Sequence, residues 1–121
     1  MEIVDANIVL RYLLNDNEPF AEKSKEIIEQ HTIFLSFEVC AEIVYVLEKV
    51  YKAPRNKIEE ALILLINYPN LITNDSAVIV QALKIYNQKK IDFVDSILVS
   101  YNQVNGDIIH SFDKKIQKLC H

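Results

Sequence analysis

The chain has 121 residues, 50% of them hydrophobic, and contains one Gly and three Pro. Such a chain can bury a real core as one domain, residues 1–121, with short connections between its elements. No segment approaches ~18 uninterrupted apolar residues, which argues against a membrane span. The N-terminus has no basic stretch leading into an apolar run, so we expect a cytoplasmic protein.

The charge balance limits how this protein could bind nucleic acid. Lys and Arg total 13 and Asp and Glu total 17, for a formal net charge of −4. A protein that holds RNA only by neutralising phosphates is normally basic. RNA binding would therefore need a divalent metal, a local basic patch or a partner. The cysteines Cys40 and Cys120 match no metal-binding spacing, and we expect two reduced thiols.

The first half of the chain predicts two short strands and three helices. In chain order these are a strand at Glu2–Asp5, a helix through Leu13, a helix from Glu18-Pro19 through Ile28, a strand at Thr32–Leu35 and a helix at Phe37–Tyr51. The predictions rest on helical and apolar periodicity. Asn15-Asp16-Asn17 separates the first two helices, and Ser36 is a favoured residue type for a helix N-cap.

The second half predicts four helices and two further strands. In chain order these are a helix from Pro54 to Asn67, a strand at Asn70–Thr73, a helix through Tyr86, a helix at Phe93–Val104, the strand Ile108–Ile109 within Asp107–Phe112 and a helix at Asp113–Cys120. Proline suits a helix start, and Asn74 or Asp75 would cap the helix through Tyr86. Asn105-Gly106 marks a turn.

Short apolar strands separated by helices predict a parallel sheet flanked by helices, an α/β fold. In such sheets ligands bind beyond the carboxyl ends of the strands. Asp5 ends the first strand and Asp113 follows the fourth. Glu42 lies about two turns into the helix after the second strand. Its neighbours Cys40, Ala41, Ile43 and Val44 suggest a largely buried helix face, where an unpartnered carboxylate is costly.

Four segments resemble a known family, and they occur in the family's order. They are IVDANIVLRYLL, VCAEIVYVLEKVY, DFVDSILVSY and IIHSFDKKI. From Ile3 to about Ile116 the chain resembles PIN domains, and more narrowly the VapC-type toxins of toxin–antitoxin pairs. The resemblance implies a three-layer α/β/α fold with a short, mostly parallel central sheet of four or five strands. It also implies a metal-dependent endoribonuclease.

The resemblance assigns the catalytic and metal-binding carboxylates to Asp5, Glu42, Asp95 and Asp113. Asn7, Asp92 and Ser111 would support the site without binding the metal directly, through hydrogen bonds to its ligands or through water. Ordinary alternatives exist: Asp5, Asp92 and Asp113 could cap helices, and Ser111 could form a turn. Glu38 is expected to be a solvated acid early in its helix.

The chemistry explains why such a cluster would be useful. Two carboxylates ~4 Å apart repel by roughly 4 kcal/mol at an effective dielectric near 20, so a four-carboxylate pocket needs protons or cations. Mg²⁺ and Mn²⁺ take carboxylate oxygens and retain waters. A bound ion can activate a water and stabilise the oxygens of a phosphodiester displacement.

Partners are predicted on weaker grounds. Arg11, Lys114 and Lys115 are candidates for RNA phosphate contacts, although a solvated face explains them equally. The resemblance implies a cognate antitoxin and a homodimer. The stripe of Ile58, Ala61, Leu62, Leu65 and Ile66 could support a dimer, with core burial as the default. For Tyr12, Tyr45 and Tyr51 we expect core or interface packing.

Three alternatives stay open at this point. The chain could be a PIN-like binding module that no longer cuts, or a DNA-directed nuclease with the same metal chemistry. A phosphoryl-transfer domain with an aspartyl nucleophile would favour an Asp-x-Asp-x-Thr start, which Asp5-Ala6-Asn7-Ile8-Val9 does not supply.

Overall fold

A computed structural model describes residues 1–15 and 19–121. The strands are β1 (Glu2–Ile3), β2 (Ile33–Phe34) and β3 (Leu71–Ile72). The helices are α1 (Ala6–Leu14), α2 (Phe20–Gln30), α3 (Phe37–Lys49), α4 (Arg55–Ile66), α5 (Ser76–Lys89), α6 (Phe93–Asn105) and α7 (Lys114–Leu119). Asn15 ends α1 in the left-handed conformation, with φ 48°, as the predicted helix break requires. The rest of that break, Asp16 and Asn17, and the predicted helix start at Glu18 lie outside the described residues.

The three strands form one parallel sheet in the order β1-β2-β3. Glu2 pairs with Ile33, and Ile33 pairs with Leu71. Pairing continues beyond the strands through Val4 N to Phe34 O at 3.2 Å and Leu35 N to Ile72 O at 2.8 Å. Parallel neighbours need long crossover connections, which the helices α1 to α4 supply. The predicted parallel α/β fold is confirmed.

The expected sheet of four or five strands is wrong, because the described residues form three. The predicted strand Ile108–Ile109 is not formed. At the start of this segment, the Asp107 carbonyl accepts a hydrogen bond from the Asn102 side chain on α6 at 3.0 Å. Ile108 remains 81% exposed. An apolar sequence alone does not make a strand, since a strand also needs a neighbouring backbone for its hydrogen bonds.

The core lies between the sheet and the helices and is built from aliphatic side chains. The helix α4 contributes Ile58, Leu62, Leu65 and Ile66, all buried, while Ala61 is half-buried. The default interpretation of this stripe, core burial, is confirmed. Both cysteines are free thiols, as predicted. Burial raises the pKa of the Cys40 thiol to about 12, so it stays protonated at neutral pH.

The three tyrosines expected to pack differ from one another. Tyr12 is half-buried, and its hydroxyl lies 2.8 Å from both Glu29 Oε2 and the Tyr68 hydroxyl. Tyr45 and Tyr51 are 63% and 44% exposed, so core packing is wrong for both. Tyr45 falls outside the α3 stripe that faces the core, and Tyr51 lies beyond the end of α3. Interface packing stays a prediction for both.

Across residues 1–15 and 19–121, none of the helices combines the length and the apolar character needed to cross a bilayer.

Candidate acidic site

Each strand is followed by a side chain that caps the next helix. Asp5 Oδ1 accepts from Ile8 N at 3.1 Å, Ser36 Oγ from Val39 N at 3.2 Å and Asp75 Oδ1 from Val78 N at 3.2 Å. The predicted caps at Ser36 and Asp75 are confirmed, and the capping alternative for Asp5 is also observed. The N-termini of α1, α3 and α5 therefore all follow the carboxyl ends of strands. Their helix dipoles favour negative charge there.

Asp95 is the candidate carboxylate with the most strongly perturbed surroundings. It lies in the first turn of α6 and is half-buried. Burial, and then the negative charges of Asp92 and Asp113, raise the pKa of Asp95. Together with Lys90 and Lys115, these three aspartates line one depression in the surface. We call this depression the acidic cleft.

Asp113 is held in the acidic cleft by local hydrogen bonds. Its Oδ1 accepts from Lys115 N at 2.8 Å and caps α7, while Asp113 N donates to Ser111 Oγ at 3.0 Å. Gln117 Nε2 donates to the Ser111 carbonyl at 2.6 Å. The turn interpretation of Ser111 is observed, and its effect is to fix the backbone at Asp113.

Asp92 precedes α6 but does not cap it with its side chain. Its carbonyl instead accepts from the Ser96 backbone at 2.9 Å and from the Ser96 hydroxyl at 3.0 Å. Asp92 therefore occupies the predicted N-cap position, but its side chain makes no capping hydrogen bond. The Asp92 carboxylate contributes its charge to the acidic cleft.

Glu42 lies on the solvent side of α3, so its predicted burial is wrong. The buried stripe of this helix consists of Phe37, Cys40, Ile43, Val44 and Leu47. At 3.6 residues per turn, position 42 falls outside that stripe. Glu42 therefore needs no buried partner, and the adjacent apolar residues do not report its environment. Glu38 is also exposed, as expected.

The other predicted residues are distributed unevenly around the acidic cleft. Asp5 and Glu42 do not line it, and Lys115 does while Lys114 does not. Asn7 is exposed in the first turn of α1, and Arg11 is half-buried on the same helix. The elements that carry the four predicted carboxylates nevertheless touch in series: α1 contacts α3, α3 contacts α6 and α6 contacts α7.

The donor chemistry of the acidic cleft fits a hard divalent cation, because carboxylate oxygens are the ligands such ions prefer. A cation would also relieve the repulsion that raises the pKa of Asp95. Within residues 1–15 and 19–121, no group of three or more His, Cys, Asp or Glu side chains is close enough together to hold a metal ion. The cleft therefore fits in donor type, while its carboxylates stand further apart than a closed coordination shell requires.

The fold, with its parallel sheet and acidic cleft, agrees with a comparison to known families. The model of the PIN domain family matches residues 3–121. The chain belongs to the PIN domain family. Neither a curated protein nor a solved structure matches it. PIN domains are generally nucleases, and PIN nucleases typically use divalent metals. The predicted family resemblance is confirmed at the level of the PIN domain.

Arg55 was not among the residues predicted from the sequence, yet this PIN domain uses it to hold the connection that leads into α6. Its Nη1 donates to the Tyr86 carbonyl at 2.7 Å and to the Ile91 carbonyl at 2.6 Å. Its guanidinium lies over the Tyr86 ring, 4.1 Å from the centroid. One signal was present in the sequence: Arg55 follows Pro54 in the first turn of a helix, where the dipole disfavours a cation.

Glu48 completes this arrangement from α3. It accepts a hydrogen bond from the Tyr86 hydroxyl, and Arg55 Nε lies 3.6 Å from its Oε1. The hydrogen bond from Tyr86, opposed by burial and helped by Lys49 and Arg55, lowers the pKa of Glu48. Burial and the Glu48 carboxylate raise the pKa of Tyr86. The side chains of Glu48, Arg55 and Tyr86 thus link α3, α4 and α5, and they line one depression together with Asp92.

Proposed function

We propose that this PIN domain is a metal-dependent endoribonuclease and the VapC-type toxin of a type II toxin–antitoxin pair, acting in the cytoplasm on RNA. One observation carries the proposal: Asp95 lies in a cleft beside Asp92 and Asp113, where burial and then the charges of these two aspartates disfavour its ionised form. Such crowding of carboxylates is unfavourable without a cation. Family membership supplies the nuclease class.

Asp95 and Asp113 would hold Mg²⁺ or Mn²⁺. Glu42 would complete the set from α3, which packs against α6, and Asp5 from the start of α1, which packs against α3. The bound ion would activate a water for attack on the phosphorus atom and stabilise the charge that develops on the phosphate oxygens. Ser111 and the α7 N-terminus fix Asp113 for this role. Asn7 and Asp92 would act through water or through neighbouring ligands. No covalent intermediate with the protein is needed.

Lysines beside the acidic cleft support RNA binding by an otherwise acidic chain. Lys90 and Lys115 line the same depression as Asp95, so a scissile phosphate there would meet positive charge from side chains. The Lys114 ammonium on α7 and Arg11 on α1 are proposed to contact flanking phosphates. Such contacts are expected to make binding salt-dependent.

The test is cleavage of labelled single-stranded and structured RNA by purified protein with Mg²⁺, with Mn²⁺ and with EDTA. The variant Asp95→Asn is compared with Asp107→Asn, a matched change at an exposed aspartate that does not line the acidic cleft. Metal-dependent cleavage that Asp95→Asn loses and Asp107→Asn retains supports the proposal. Equal cleavage by Asp95→Asn and the wild type would contradict it.

A second candidate function is a PIN-fold binding module without catalysis. The side chains of Asp5 and Asp113 each serve as helix caps, which gives both a structural role that needs no metal. This candidate predicts RNA or partner binding with no metal-dependent turnover. Single-stranded and duplex DNA in the same assay distinguish the third candidate, a DNA-directed nuclease.

The antitoxin and the dimer form a separate part of the proposal. A basic side chain from an antitoxin would fit the acidic cleft, because it would replace the charge of the metal. Co-expression with the cognate antitoxin should then abolish cleavage, and light scattering should report a homodimer of the free protein. A monomer at high concentration would contradict the dimer without affecting the nuclease assignment.

A further inference from the structure

A second depression adjoins the acidic cleft on the side of α3. Its lining includes the polar side chains of Tyr45, Glu48, Lys49, Arg55, Tyr86 and Asp92. We call it the flanking cleft. Asp92 lines both depressions, so they are neighbours. A polynucleotide bound with a phosphate in the acidic cleft would extend naturally into the flanking cleft.

The flanking cleft presents an exposed aromatic ring and a cation on one helix. Tyr45 is 63% exposed, and Lys49 follows four residues later, so the two side chains rise from the same face of α3. The Lys49 side chain is 58% exposed and lies 3.2 Å from Glu48 Oε2. Proteins bind single-stranded nucleic acid with exposed aromatic rings, on which a base stacks, beside cations that lie near a phosphate.

The inner wall of the flanking cleft is formed by side chains that contact one another. Tyr86, which is 1% exposed, packs edge-on against Phe93, with ring centroids 5.7 Å apart. The Arg55 guanidinium covers the Tyr86 ring. Glu48 is already engaged by Tyr86, Arg55 and Lys49, so its negative charge is largely compensated. A nucleotide entering the cleft would therefore meet a packed surface with little net repulsion from that wall.

We propose that the flanking cleft binds the nucleoside next to the scissile phosphate, with its base stacked on Tyr45 and the adjoining phosphate near Lys49. This inference rests on the proposed function, since it names how that site takes its RNA. The cations are arranged accordingly: Lys90 and Lys115 line the acidic cleft, and Lys49 and Arg55 line the flanking cleft. The shared residue Asp92 and the cations that line both depressions favour an RNA strand over a protein segment as the occupant.

The test measures binding separately from cleavage. A fluorescently labelled single-stranded RNA is titrated onto Asp95→Asn protein that also carries Tyr45→Ala, Tyr45→Phe or Tyr51→Ala, with folding checked by circular dichroism. Tyr51 is the matched control, because it is exposed but does not line the flanking cleft. We expect Tyr45→Ala to weaken binding roughly 5- to 150-fold, the range for losing one stacked base. Tyr45→Phe keeps the ring and should retain binding.

Lys49→Gln provides a second, electrostatic readout. If Lys49 contacts one phosphate, this variant should reduce the slope of log affinity against log salt by about 1. The Lys57→Gln variant on α4, whose side chain is 66% exposed and does not line the cleft, should leave that slope unchanged. Equal slopes for Lys49→Gln and the wild type would overturn the proposed phosphate contact.

The outcomes separate this inference from the proposed function. If wild-type protein cuts RNA and Tyr45→Ala binds and cuts as well as Tyr51→Ala, the subsite is wrong and the nuclease stands. If the wild type neither binds nor cuts RNA or DNA, both fail. If Tyr45→Ala instead converts a dimer into a monomer by light scattering, while Tyr51→Ala does not, the surface is an interface between copies and the subsite is overturned.

Discussion

Arg55 Nη1 lies 2.6 Å from the carbonyl oxygen of Ile91, the residue immediately before Asp92. The same nitrogen holds the Tyr86 carbonyl in the last turns of α5. Between these two anchors, Lys90 turns the chain in a left-handed conformation with φ 57°. The first turn of α4 therefore fixes the path of the connection from which Asp92 and Asp95 enter the acidic cleft.

Replacing Arg55 with methionine should destabilise the protein substantially. The change removes two charge-assisted hydrogen bonds to backbone carbonyls. It also removes the Arg55 charge from beside Glu48, whose side chain is 22% exposed and which keeps Tyr86 and Lys49 as partners. Losing one partner of a fully buried ion pair costs roughly 3–5 kcal/mol. Glu48 and Arg55 are partly exposed, so the expected loss in unfolding free energy is smaller, at about 2–3 kcal/mol. Urea denaturation measures the change.

The control for Arg55→Met is Lys57→Met, on the same helix with its side chain 66% exposed. It should change stability by less than about 0.5 kcal/mol. Arg55→Lys should fall in between, because an ammonium keeps the charge but not the forked geometry that reaches two carbonyls. Equal stability of Arg55→Met and Lys57→Met would show that the link is structurally unimportant.

Stability should fall in acid partly through Glu48. The hydrogen bond from Tyr86 and the neighbouring cations lower the pKa of Glu48 in the folded protein. The unfolded chain therefore binds a proton at higher pH than the folded one, so the contribution is present above the unfolded pKa and is lost as pH falls through the folded value. Urea unfolding as a function of pH should show a smaller acid-induced loss for Glu48→Gln than for wild type.

Glu60→Gln is the control for the pH experiment, since the Glu60 side chain is 73% exposed and contacts only Lys57 at 3.9 Å among its ion pairs in the described part of the chain. Its pH dependence should match that of the wild type. A Glu48→Gln profile parallel to wild type through the acid range would contradict the linkage.

The sequence predicted local features well because local rules govern them. Ser36 and Asp75 cap their helices through hydrogen bonds to residues only three positions away in the sequence. Such caps can be predicted from the local sequence, because a few residue types are strongly preferred there. The predicted strand at Ile108–Ile109 failed because a strand depends on a distant backbone. Arg55 was missed for the same reason, since its acceptors lie 31 and 36 residues away in sequence.

The candidate site was predictable only in part. Asp92, Asp95 and Asp113 share one cleft, although the sequence separates Asp113 from the pair by a whole helix. The family motifs supplied that grouping, because periodicity could not. Glu42 shows that the burial of a helical residue cannot be inferred from the residues next to it in the sequence. Ile43 and Val44 are buried, while Glu42 itself is exposed. Tyr45 was assigned to packing by its spacing, and only the fold shows its ring in solvent.

Two substitutions at Asp5 should separate its capping role from its proposed role in catalysis. Asn and Asp are similarly good N-caps, so Asp5→Asn should keep the bond from Ile8 N and the stability of α1 while abolishing metal-dependent RNA cleavage. Asp5→Ala should lose cleavage and also about 1 kcal/mol of unfolding free energy. Full cleavage by folded Asp5→Asn would remove Asp5 from the catalytic set and leave it as a cap.

Asp95→Asn should stabilise the metal-free protein while removing its response to metal. Burial and the charges of Asp92 and Asp113 raise the pKa of Asp95, so its ionised form is less favourable in the folded than in the unfolded chain. This penalty applies above the folded pKa and disappears as pH falls below the unfolded value. At neutral pH in EDTA, the melting temperature of Asp95→Asn should therefore exceed that of wild type.

Adding Mg²⁺ or Mn²⁺ should reverse that order. A ligand that binds only the folded state raises its stability by mass action, so the melting temperature of wild type should rise with metal concentration, whereas that of Asp95→Asn should rise much less. Asp107→Asn, at an exposed aspartate outside the acidic cleft, should respond to metal as the wild type does. If the wild type and Asp95→Asn gain equally from metal, the ion binds elsewhere on the protein and Asp95 is not among its ligands.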